Sequence, residues 1–183
     1  MKLPSPAIVP GFSAPAAGYE APFDLLQACH EKVLRMSDLL ERLVAHVEAR
    51  GPDISARSAA ADVLRYFDLA APKHHEDEEL HVFPALLAQD DARQCEAVAQ
   101  LQEEHRRFER DWARLRMVLQ AWQGGAAAPV ADEEVRRLAA DFAAMNRGHV
   151  ELEETLTYPA AQSLFDAHAL ARMGAEMQAR RRN

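Results

Sequence analysis

The chain matches itself when displaced by 75 residues. His30 falls on His105, His74 on His149, Glu78 on Glu153 and Glu79 on Glu154. Phe83 falls on Tyr158 and Pro84 on Pro159. Apolar positions keep the same register, with Leu26 on Leu101, Leu40 on Leu115 and Phe67 on Phe142. Such a chain folds as two similar units related by a pseudo-twofold axis, each burying its apolar face against the other.

Each half reads as a pair of helices. Apolar residues recur at alternating steps of three and four along Phe23, Leu26, His30, Val33, Ser37, Leu40, Val44 and Val47, which is the helical period. This predicts a first helix from Phe23 to Ala49, broken by Gly51-Pro52-Asp53, with Asp53 or Ser55 capping the next. The second, over 55–87, carries Val63, Phe67, Ala70, His74 and Glu78, and Pro72 and Pro84 are expected to kink it. A third over 92–123 carries Val98, Leu101, His105, Phe108, Trp112, Leu115 and Leu119. The fourth starts near Asp132, carries Leu138, Phe142, Met145, His149, Glu153 and Leu156, and bends or ends at Pro159. A shorter helix over 166–181 places Leu170, Met173 and Met177 on one side. The prediction is an all-α, up-and-down four-helix bundle over 23–160. A proline-rich extended arm (1–22) precedes it, and a C-terminal helix and tail (161–183) come after it.

The polar residues inside these apolar stripes carry the chemistry. Positions four apart on a helix share a face, so His74 with Glu78 and His149 with Glu153 each point a donor pair inward. Burying unpaired carboxylates costs several kcal/mol each, and a pair of divalent cations in the bundle core would offset that. His74 is preferred to His75 because His75 maps onto Val150, although a shift of one residue would exchange them. The four-residue spacing prefers Glu78 and Glu153 as ligands and leaves Glu79 and Glu154 behind them. Phe83, Tyr158, Trp112 and Trp122 read as core. His46, His81 and His168 read as structural or solvent-facing. Arg180-Arg181-Arg182 reads as a solvated basic tail.

Composition excludes other classes. A formal charge of −8 disfavours nucleic acid and anionic membranes as partners. No run approaches the length of a membrane span, and the N-terminal prolines argue against a signal peptide. Cys29 and Cys95 are not a CxxC pair and read as reduced thiols, which makes a cytoplasmic location the expectation.

The stretches CHEK with His30, HHEDEELHVFP with His74 and Glu78, EEHRRF with His105, and HVELEETLTYP with His149 and Glu153 resemble the hemerythrin-like HHE cation-binding family. The likeness spans roughly residues 20–165. It implies a left-handed bundle around a non-haem di-iron centre, oxo- or hydroxo-bridged. His30, His74, His105 and His149 would be terminal ligands, and Glu78 and Glu153 bridges. Iron rests on the resemblance; manganese or zinc would also fit such donors. Oxygen-carrying members use a fifth histidine one turn from the third-helix ligand, where this chain has Leu101 and Glu109. That position is open or water-filled, with Glu109 or His75 as alternative donors. A ferritin-like site needs a second Glu-x-x-His, and Leu156 stands where that histidine would be.

The resemblance implies a redox-active centre that binds or senses O2, NO or peroxide. A peroxidase-like, NO-handling or iron-cluster-repair enzyme, or an inert metal-stabilised bundle, are the alternatives. No catalytic acid or nucleophile stands out. A protein partner acting through the C-terminal helix is the remaining expectation.

Overall fold

The computed structural model describes residues 18–124 and 131–182. Most of the expected N-terminal arm therefore lies outside the described residues. Helix α1 spans Pro22–Arg50 and ends on Gly51, whose φ of 75° suits a residue without a Cβ. Helix α2 (residues 54–87) is one rod of five segments. These are α-helical Ile54–Arg65, π-helical Tyr66–Ala70, α-helical Ala71–Asp77, π-helical Glu78–Val82 and α-helical Phe83–Leu87. Helix α3 spans Ala92–Gly124. Helix α4 (residues 133–162) is α-helical over Glu133–Leu152, π-helical over Glu153–Thr157 and α-helical over Tyr158–Gln162. Helix α5 spans Ala167–Arg180. Among the described residues there is no strand.

Aspartate starts each helix after the first. Asp53, Asp91, Asp132 and Asp166 accept hydrogen bonds from the backbone N–H three residues on, at 2.7–2.9 Å. Each satisfies a donor that the first turn leaves without a partner.

The interior prolines do not break the helices. Each π-helical turn ends two residues before a proline: Ala70 before Pro72, Val82 before Pro84 and Thr157 before Pro159. A proline ring in a regular helix clashes with the carbonyl four residues back and donates no hydrogen bond. Here Ala71, Phe83 and Tyr158 reach five residues back, to the carbonyls of Tyr66, Glu78 and Glu153. The widened turn absorbs the ring, so the expected kinks become π turns.

Helices α1 and α2 pack together, α2 packs on α3, α3 on α4, and α4 closes the ring against α1. The bundle interior is divided in two. One apolar cluster holds Val33, Phe67, Ala71, Phe108 and Phe142; the other holds Leu26, Val82, Phe83, Leu101 and Tyr158. Along each of α1 to α4 the histidines and glutamates expected as ligands fall between the two clusters. Helix α5 buries Met173 and Met177 in the second cluster. It comes so close to the start of α1 that a Cβ on Gly174 would lie 1.8 Å from the Tyr19 carbonyl oxygen.

The basic tail departs from expectation. Arg180 and Arg181 are half-buried rather than free in solvent: both clasp Asp77, which is fully buried on α2. Arg180 donates to Asp77 Oδ1 at 3.0 Å through Nε, and Arg181 donates to Asp77 Oδ2 at 2.6 Å. Arg180 also donates to His81 Nε2 at 2.9 Å, and its carbonyl accepts from Lys73. A buried aspartate needs such partners, and only the fold brings the chain's end to residue 77.

Candidate metal centre

Helix α1 brings in His30, α2 brings His74, His75 and Glu78, α3 brings His105, and α4 brings His149 and Glu153. Their donor atoms form two groups, each gathered within 4.8 Å. One comprises His30, His74, Glu78 and Glu153; the other comprises His75, Glu78, His105 and His149. All six residues expected as ligands are buried.

The two glutamates face both groups. Glu78 Oε1 lies 3.3 Å from His74 Nε2, while Oε2 lies 3.6 Å from His105 Nε2. Glu153 Oε2 lies 3.0 Å from His30 Nε2, and Oε1 lies 3.2 Å from His149 Nε2. Both carboxylates are wholly buried, yet Glu78 Oε2 and both oxygens of Glu153 have no well-directed hydrogen bond. Buried oxygens of this kind are costly unless a cation meets them.

Outer carboxylates orient the rings. His30 Nδ1 donates to Glu154 at 3.0 Å, His105 Nδ1 to Glu79 at 3.0 Å, and His149 Nδ1 to Glu104 at 2.8 Å. This is the carboxylate–histidine arrangement that holds Nε2 toward a metal. Glu79 and Glu154 take the positions behind the ligands that the spacing predicts. Glu104 was missed, although it adjoins His105 in the sequence. The 75-residue offset places Cys29 opposite Glu104. The buried His74 Nδ1, where that residue could have served, has no hydrogen bond.

His105 and His149 bring their Nε2 atoms to 3.2 Å. With Nδ1 of each donating outward, two lone pairs converge unless a proton or a cation lies between them. The acid–base balance shows the same demand for positive charge. Burial pulls His30 down, but Glu153 and Glu78 carry its pKa to about 10. His149 likewise reaches about 10, against burial, because of Glu153 and Glu104. Burial, together with the neighbouring imidazoles, holds His74, His75 and His105 below the usual histidine value. Burial and then the Glu153 charge lift Glu78 to about 8.

The donor set fits two cations of mixed nitrogen and oxygen preference. It also bears on the open position. Glu109 is exposed and belongs to neither donor group, whereas His75 does. The His75 ring stacks on His105 with centroids 4.0 Å apart. The helical turn that separates His74 from Glu78 thus sends adjacent histidines to different groups. A cavity of about 380 Å³ opens against His75 and His105 between α2 and α3. Its walls include Phe67, Phe108, Trp112 and Phe142, and Glu79 and Glu109 also line it.

His46 lies away from the cluster and pairs with Asp53 at 3.0 Å. Tyr158 is core, as expected, but its hydroxyl enters the site, donating to Glu78 Oε1 and lying 3.1 Å from His30 Nε2. The sequence signal was an unlike pair in the repeat, tyrosine opposite Phe83.

Residues 21–161 match the Hemerythrin HHE cation binding domain. A Haemophilus influenzae protein described as an uncharacterized protein is 29% identical over 165 residues, covering 90% of this chain and 92% of that one. With its helices, its paired His-x-x-x-Glu turns and the match over most of its length, the chain belongs to the hemerythrin HHE cation-binding family.

Proposed function

We propose that the protein holds two iron ions between its helix pairs and uses them to bind O2, NO or peroxide with a change of iron oxidation state. The carrying observation is that Glu78 and Glu153 each turn one oxygen to each histidine group. Two cations side by side give every one of those oxygens a partner. When bound, the ions supply a reversible Fe(II)/Fe(III) couple and positions for an exogenous small ligand. The chain orients three of the imidazoles through Glu79, Glu104 and Glu154, and the two apolar clusters flank the donors.

The cavity favours a second reading, turnover of a peroxide bulkier than hydrogen peroxide. A diatomic needs little more room than a water molecule's share of liquid, about 30 Å³, and the cavity beside His75 is about 380 Å³. Anaerobic purification, metal analysis and a spectrum on exposure to oxygen test the proposal. Two irons per chain with reversible oxygen uptake support binding or sensing. Rapid autoxidation or steady peroxide consumption supports the enzyme. A zinc-filled protein from iron-replete cells refutes both.

A further inference from the structure

The internal repeat serves as a control on the site. His30 pairs with His105, His74 with His149, Glu78 with Glu153, and Glu79 with Glu154. Several positions near the donors break the pairing, and two of them bring a side-chain nitrogen or oxygen among the facing donor atoms. His75 stands opposite Val150, and Tyr158 stands opposite Phe83. His75 adds a third imidazole to the His105–His149 group. Tyr158 stands at the other group, which has only two.

The two aromatic rings are placed alike. Phe83 stacks on His105 with centroids 5.6 Å apart and 26° between planes. Tyr158 stacks on His30 at 5.0 Å and 18°. The fold thus sets a ring against each of these histidines, and the tyrosine alone adds an oxygen. That oxygen is 3.1 Å from His30 Nε2 and in close contact with Glu78 Oε1. Both atoms belong to residues of the His30–His74–Glu78–Glu153 group. Neighbouring ligands on one cation, each about 2.0–2.2 Å from it, stand roughly 3 Å apart.

We infer that Tyr158 is a metal ligand, its phenolate oxygen completing the His30–His74 position as His75 completes the other. The inference rests on the two-ion reading. One position is then three-imidazole and the other carries a hard anionic oxygen, which stabilises a ferric ion. On coordination the O–H bond breaks and its proton leaves to solvent, while the oxygen's electron pair is shared with the cation.

The full chain loaded with iron(III) provides the test, because phenolate-to-iron(III) charge transfer gives a visible absorption band and resonance-enhanced phenolate ring vibrations. The expected result is a band in the wild type and in Tyr66→Phe that is lost, per bound iron, in Tyr158→Phe. The Tyr66 hydroxyl only donates to the Cys29 carbonyl, at 3.2 Å. Phe83 shows that the fold accepts phenylalanine in this setting. Iron loading of Tyr158→Phe should also release one proton fewer. Two bound irons without a phenolate band, or a band that survives in Tyr158→Phe, overturns the inference and leaves the two-ion reading standing. A chain that binds no iron overturns both.

Discussion

Glu104, Glu79 and Glu154 belong to neither donor group, but each decides which nitrogen of a histidine faces inward. Removing such a partner costs roughly 10–100-fold in metal affinity. Glu104→Gln should therefore weaken metal binding by about that factor in a chelator competition, because an amide can no longer hold the His149 Nδ1–H as a carboxylate does. His75→Ala should lower metal content selectively at the His105–His149 position, while His46→Ala leaves it unchanged; metal analysis after gel filtration checks both. The pH dependence has a definite sign. His30 and His149, raised to about 10, carry protons at neutral pH and must lose them to bind through Nε2. Metal affinity should therefore rise with pH up to about 10 and fall steadily below it, and loading in weak buffer should acidify the solution.

At the scale of helices, the three π turns explain how prolines sit inside rods that also carry the site. Glu78 and Glu153 each open a π turn, and their carbonyls accept the hydrogen bond from five residues on. The extra residue rotates the C-terminal part of each rod, which brings Phe83 and Tyr158 back into the core. The helical period foretold the elements and most buried positions, because the apolar stripes of α1 and α3 are regular throughout. It missed the π turns because a proline announces only that a regular turn is impossible. The cap at Asp53 and the start of α4 near Asp132 were legible, and the latter carries a prediction. Asp132→Ala should destabilise the protein by about 1 kcal/mol in denaturant unfolding, since it frees the Val135 N–H at the start of α4.

In the molecule as a whole, α5 is a clasp. It covers the cluster around Phe23 and Tyr158, and Arg180 and Arg181 neutralise Asp77, whose chain neighbour is Glu78. Replacing both arginines by alanine leaves a buried charge without its partners. The expected cost is about 3 kcal/mol, the low end for a broken buried pair because the arginines are partly solvated. Thermal unfolding measures it. Asp77→Asn combined with the two alanines should recover part of the loss, since the amide carries no charge to strand. Among the described residues no helix is long and apolar enough to cross a membrane.

Sequence alone determined the helices, the pairing of the halves and the six inward-facing residues, all buried and all within the matched span. Those depend on periodicity, which a chain carries locally and a repeat writes twice. Tertiary structure decided what the repeat does not share. It sent His75 to one donor group and the Tyr158 oxygen to the other, left Glu109 outside, and turned a supposed loose tail onto Asp77. These are contacts between segments from 30 to 128 residues apart. Their geometry exists only once four helices have packed and the widened turns have set the rotation of each.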